Sequence, residues 1–202
     1  MKKILFLIMP AFICLSLSAG CGGKPQNNNQ LPSKNSDKIA PSEILNCDLS
    51  QTIEFDAQYI RTNGYIDGEN YPKALWITDA AELNEYYEEN KEKYYLDSNE
   101  NPASDNTIGF IDAISKYDDA FFENYDLILV VLEEPSGSIR HKVTDVILQP
   151  SSMNKLQYLV QPVIERNVPE AGTDDMAEWH IIIEISKEYG RTKSELQTPL
   201  IK

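Results

Sequence analysis

Ile53, Phe55, Ala57 and Tyr59 alternate with Glu54, Asp56 and Gln58, the period-two pattern of a half-buried strand. Residues 74–77, Ala-Leu-Trp-Ile, read as a second, short apolar strand. Asp79 stands three places before Glu82. That spacing is the form of a capping box, and it opens a helix to about residue 94. Leu83, Tyr86, Tyr87 and Tyr94 approximate the helix's apolar face, and a polar loop follows over residues 96–106. Ile108, Ile111 and Ile114 recur at helical spacing and predict a helix over 107–117. Residues 118–124 add one more helical turn carrying Phe121 and Phe122.

The pattern then changes to β. Residues 127–132 are six apolar positions in a row between Asp126 and Glu133, which predicts a central strand covered on both faces. Pro135, Ser136, Gly137 and Ser138 form a turn. The strand over 139–148 is expected to be the hairpin partner of 127–132, so that this turn projects from a sheet end. A turn at 151–155 leads to a strand over 156–166, and a loop with Pro169 and Gly172 precedes a final strand over 179–186. Strands and helices segregate along the chain. This favours a single α+β domain over 51–188, with a mainly antiparallel sheet and two to three helices. No Gly-rich turn joins a strand to a helix, which disfavours a doubly wound nucleotide fold. There is no internal repeat.

The N-terminus carries an address. Lys2 and Lys3 precede an apolar run over 4–15, too short to span a bilayer, which takes about 20 residues. Residues 1–20 therefore read as a removable signal peptide. Ser18, Ala19 and Gly20 lead to Cys21, and these small residues before a cysteine resemble the lipobox of bacterial lipoproteins. The resemblance implies acylation of Cys21 and anchoring at the extracytoplasmic face of the cell membrane. Ser18 stands where that motif usually has an aliphatic residue. Residues 21–50 are rich in Asn, Gly, Ser, Pro and Lys. Such a composition does not bury enough surface to order itself, and predicts a leash with a mean reach of roughly 30 Å. Cys14 leaves with the signal and Cys21 carries lipid, so Cys47 alone remains and no internal disulfide is available. Asp48 beside Cys47 argues for a spectator thiol.

Charge sharpens the division. The chain of 202 residues has a formal net charge of −14. Residues 51–188 hold 10 basic residues and 28 acids, whereas 189–202 hold three basic residues and one acid and read as a tail. An acidic domain repels nucleic acid and anionic lipid head groups alike, so no nucleic-acid partner is expected and the leash holds the domain off the membrane.

Catalytic chemistry has weak raw material. Ser136, Ser138, His141, His180, Asp174 and Asp175 could supply a Ser-His-Asp triad, but the G-x-S-x-G elbow is missing. By strand phase His141 shares a face with Ile139 and Val143, and His180 with Ile182, Glu184 and Ser186. Asp97, Asn99 and Asn101 match the first half of a calcium loop, which then fails at Pro102 and Ile108. No cofactor or metal ligand set is expected. Tyr59, Tyr86, Tyr87 and Tyr94 follow strand or helix spacing and are expected to pack the core with their hydroxyls at its edge.

Phe121-Phe122, the strand over 126–134, the Pro-Ser-Gly-Ser turn, the strand over 140–148, the hairpin and the strand over 179–187 follow one layout. It resembles the C-terminal domain of PrcB, a lipoprotein subunit of a spirochaete surface protease complex, over residues 120–187. That family has Gly and Tyr where this chain has Ser138 and Ile139. The resemblance implies a non-catalytic partner of an extracytoplasmic protein, such as a protease, and transfers no catalytic residue. Ser136, Ser138 and Arg140 are the expected partner contacts, on the argument that a loop tip with a rare positive charge can orient a partner. Two other readings stay open: an envelope hydrolase acting on peptides or glycans, and a small solute- or cation-binding lipoprotein.

Overall fold

The computed structural model describes residues 50–62, 68–97, 108–151 and 157–202. Residues 1–49, with the expected signal peptide, Cys21, the expected leash and Cys47, lie outside the described residues. Among the described residues nine strands fall into two sheets: β1 (Gln51–Thr52), β2 (Phe55–Thr62), β3 (Lys73–Ile77), β4 (Tyr125–Glu134), β5 (Arg140–Pro150), β6 (Tyr158–Asn167), β7 (Ala177–Ser186), β8 (Ser194–Leu196) and β9 (Leu200–Ile201). One sheet has the order β2-β7-β4-β3 and is antiparallel throughout. The other has the order β1-β5-β6-β8, with β9 also pairing β6. There β8 and β9 run parallel to β6, and the remaining pairs are antiparallel. The helices among the described residues are α1 (Ala80–Tyr94), α2 (Phe110–Ile114) and 3-10 turns at Phe121–Glu123 and Lys187–Tyr189.

Residue parity builds the layers. On β4, Ile128, Val130 and Leu132 face the second sheet, while Leu127, Leu129 and Val131 face the helices. The six-residue apolar run is thus a strand covered on both sides, as its composition predicts. β7 divides differently. Trp179, Ile181, Ile183 and Ile185 enter the core between the sheets, and the opposite face presents Glu178, His180, Ile182 and Glu184. A fully buried aliphatic side chain contributes about 1.5–3 kcal/mol, and the core between the sheets and the core under the helices both draw on it. On β5 the pairing register shifts between Val143 and Asp145. This bulge lets Val143 and Val146 both point inward despite their odd spacing.

Helix α1 begins where its cap predicts. The Asp79 carboxylate accepts from the Glu82 N–H at 2.8 Å. Glu82 reaches one residue further back than a capping box requires, accepting from Thr78 N at 2.8 Å and Thr78 Oγ1 at 3.0 Å. The helix ends at Tyr95, which is left-handed at φ 53°.

Four sequence expectations need correction. First, α2 is only five residues long, and its buried side is Phe110, Ala113 and Tyr117, whereas Ile108 and Ile111 are exposed. The aromatic rings bury more area than the Ile side chains and win the inward face. Second, β4 and β5 are not a hairpin. They lie in different sheets, and residues 135–139 are the crossover between layers. Third, residues 189–202 are not a free tail. Gln197 N–H donates to Val160 O at 2.8 Å, and Lys202 N–H to Ile164 O at 2.9 Å. These two- and three-residue strands anchor only through Leu196 and Ile201, too few positions to show a period, so the domain runs past residue 188 to 202. Fourth, the strand read from Ile53 onward is broken: Gln51 and Thr52 join β5, and the chain changes sheets at Ile53 and Glu54 before β2 begins.

Candidate functional site

The helix-facing side of β7 carries the polar groups, and its two ends differ. At the first end Glu178 and His180 are fully buried. Neutral His180 bridges two hydroxyls, with Nε2 2.9 Å from Tyr86 Oη and Nδ1 3.3 Å from Thr62 Oγ1. One consistent proton arrangement has Tyr86 donating to Nε2 and Nδ1–H donating to Thr62, whose own hydroxyl donates to Glu178 O. Tyr94 and Phe110 pack edge-on against the imidazole. Burial alone pushes its pKa down to about 3, so it stays uncharged.

Glu178 accepts a hydrogen bond from Tyr71 Oη through Oε1, while its Oε2 is buried without a partner. Glu133 lies opposite it on β4. Burial pushes the Glu178 pKa up to about 7; the Tyr71 hydrogen bond opposes that rise, Glu133 adds to it, and Lys93 and Lys73 oppose it. Those two lysines are held on Glu69, each at 2.5 Å. Burial, then the contact with Glu178, raises the Tyr71 phenol above its ordinary range.

A second buried acid, Glu134, is fully satisfied. It accepts from His141 Nε2 at 2.7 Å and Arg166 Nε at 2.8 Å. Burial opposes its ionisation, but these bonds hold its carboxyl below the usual range. His141 also packs edge-on against Trp179. Neither histidine meets a serine or an aspartate, so the residues of a Ser-His-Asp triad are not brought together.

The expected partner contacts occupy the inter-sheet crossover. Ser136 Oγ and Ser138 Oγ are 2.8 Å apart. Ser136 donates to Thr173 O at 2.8 Å, and Thr173 N–H donates to Ser138 Oγ at 2.9 Å. Gly137 N–H donates to Asp175 O at 2.7 Å, and Asp175 is paired with Arg61. A Cβ on Gly137 would lie 2.1 Å from Arg61 Nη2, so any side chain there displaces the Arg61–Asp175 pair. Arg140 donates to Gly137 O at 2.6 Å and lies over the Trp179 ring. Ser136, Ser138 and Arg140 are half-buried. The turn therefore does not project as a loop tip; its hydroxyls are turned onto the neighbouring loop and its guanidinium onto Gly137 O and the Trp179 ring. Of the calcium-loop residues, Asp97 accepts from Tyr87 Oη, and Asn99 and Asn101 lie outside the described residues.

The other end of β7 opens to solvent. Ile53, Glu54, Phe55, Asp56, Phe121, Asn124, Tyr125, Glu184 and Ser186 line a cleft of about 1050 Å³. The chain's change of sheet at Ile53 and Glu54 forms one wall, and the 3-10 turn before β4 forms the other. Phe121 and Tyr125 stack with ring centroids 5.2 Å apart, and Tyr125 is 45% exposed. Glu184 takes Lys116 Nζ at 2.6 Å and Tyr117 Oη at 2.9 Å. Sequence reasoning missed this cleft, because its lining comes from three separate segments. The alternation of Glu54 and Asp56 with apolar neighbours was the only local signal, and it marks any half-buried strand.

Among the described residues, no group of three or more His, Cys, Asp or Glu side chains could hold a metal ion, and no helix is long and apolar enough to cross a membrane. Compared with known protein families, curated proteins and solved structures, the chain matches none.

Proposed function

We propose that this chain is a lipid-anchored protein-interaction module of the cell envelope. In this reading an acylated Cys21 and a flexible leash hold a non-catalytic α+β domain at the extracytoplasmic face, where it serves a protein partner such as an extracytoplasmic protease. The observation that carries the reading is the contrast between its chemistry-bearing groups and its open surface. Glu178, His180, Glu134 and His141 are spent inside the fold, and the open cleft at the end of β7 is lined by stacked aromatic rings and carboxylates rather than by a converging acid, base and nucleophile. Aromatic side chains left exposed in a cleft are the usual anchors of a protein contact.

The anchor is tested by Cys21→Ala. The variant is expected to leave the membrane fraction for the medium or to remain unprocessed. Partitioning into detergent like the wild type contradicts the anchor. The partner is tested by recovering the wild-type protein from native membranes with mild cross-linking and identifying the attached chains. A reproducible extracytoplasmic protein supports the reading, and recovery of the protein alone contradicts it. An envelope hydrolase would lean on Glu178, whose pKa burial raises to about 7, but that carboxyl is fully buried.

A further inference from the structure

We propose that the cleft at the end of β7 receives a lysine- or arginine-bearing peptide segment of the partner, seated with its cations against Glu54 and Asp56 and its stems against Phe121 and Tyr125. This rests on the interaction reading above and names the partner's chemistry.

The fold already contains the mode of recognition at the cleft's lining residue Glu184. Lys116 places its ammonium 2.6 Å from Glu184 and 5.1 Å from the centroid of the Tyr117 ring. One cation is thus held between a carboxylate and an aromatic face, the geometry in which charge pairing and cation–π attraction act together. Asp56 stands beside Glu184 as its partner across the β2–β7 pair, and Glu54 lies two residues before it. Asp56 and Glu54 are both exposed, and neither takes part in an ion pair among the described residues. Exposed Tyr125, stacked on Phe121, offers the ring surface on which an aliphatic stem and its charged head can lie.

The charge field selects the sign of the occupant. Residues 51–188 carry 28 acids against 10 basic residues, so an acidic segment is repelled on approach and a basic one is steered in. The carboxylates do not gather into a group able to hold one metal ion. Several separated cations along a chain fit them better than a single divalent ion does. A cleft of about 1050 Å³, at the upper end of the roughly 300–1,000 Å³ of small-ligand sites, has room for a few side chains of an extended peptide.

The test uses the mature chain and three fluorescent nonapeptides of alternating Gly and Lys, Gly and Gln, or Gly and Glu, read by anisotropy at low and high salt. The Lys peptide is expected to bind, weaken at least tenfold in high salt, and exceed the Gln and Glu peptides at least tenfold. Glu54→Gln with Asp56→Asn should weaken it about tenfold while leaving the circular dichroism and thermal midpoint unchanged. Glu170→Gln with Asp174→Asn removes the same charge from the exposed loop at the far end of β7, and should weaken it less than twofold. Equal loss in the two double variants would reduce the effect to net charge and overturn the proposal. So would equal binding of the Glu peptide. Tighter Lys-peptide binding after deletion of residues 22–48 would make the chain's own leash the occupant, again overturning it. Failure is separable from failure of the interaction reading. If the cross-linked partner is recovered equally by the wild type and the Glu54→Gln, Asp56→Asn variant, the module has a partner and this cleft is not its site.

Discussion

Glu178 and Glu184 sit on the same face of the same strand, six residues apart, and the fold treats them in opposite ways. At Glu178 two tyrosines, a neutral histidine and the lysines of Glu69 close over the sheet, and the carboxyl is left with an unpartnered oxygen. At Glu184 the helical layer ends. The carboxyl meets Lys116 and Tyr117 on one side and an open cleft on the other. The difference comes from cover rather than from the strand. α1 lies over the first end and supplies Tyr86 and Tyr94, whereas α2 is one short turn and leaves Phe121 and Tyr125 with a free side. An acid under a complete layer becomes a cost that the rest of the core must offset, and an acid at the edge of a layer remains available to a ligand.

The largest effect that sharpens this contrast is at His180. His180→Ala empties a fully buried site and strands the hydroxyls of Tyr86 and Thr62, at a cost of about 3 kcal/mol from the cavity and the unpaired polar groups together. Denaturant unfolding at pH 7 measures it. A loss below about 1 kcal/mol would mean that α1 packs loosely here and that the sealed end is not sealed.

Glu178→Gln should act in the other direction. An acid whose folded pKa lies above its unfolded one binds its proton more tightly when folded. Its stabilisation is therefore complete below pH 4.5 and is lost as pH rises through about 7. The wild type should lose stability between pH 5 and pH 8. The Gln variant should lack that component and be more stable than wild type at pH 8 by up to about 3 kcal/mol, since the carboxyl's pKa rises from 4.5 to about 7 on folding and each tenfold change in proton affinity is worth about 1.4 kcal/mol. Matched thermal midpoints across pH 5–8.5 check it. Parallel curves would show that Glu178 reaches water or an unseen partner. Glu134 runs with the opposite sign. Its depressed pKa gives stability above pH 4.5 that is lost as pH falls.

Much of the layering was legible because strands and helices write their periods locally. The apolar run over 127–132 announced a strand covered on both faces, and Asp79 with Glu82 announced the start of α1. His180 was correctly phased with Ile182 and Glu184. What depended on long-range partners was not legible. Nothing near Pro135 says that the strands on either side join different sheets, and that error carried Ser136, Ser138 and Arg140 out to an imagined loop tip. Leu196 and Ile201 carry no period, so strands β8 and β9 read as tail. The inward turn of α2 was set by Phe110 and Tyr117 outcompeting Ile108 and Ile111. Glu178 looked like one acid among many, because its burial is created by Tyr71 and by a helix some ninety positions earlier in the chain.

The contrast between the two ends of β7 is tested most directly by hydrogen–deuterium exchange of the mature chain with and without the alternating Gly and Lys peptide. The account predicts that Ala177–Ser186 exchanges slowly at its first residues in both states, because those amides lie under α1 in the middle of a sheet. It predicts that the peptide adds protection around residues 53–56, 121–125 and 184–186 and none around 177–180. Protection confined to residues 135–140, or rapid exchange at residues 178–180 in the free protein, would contradict it.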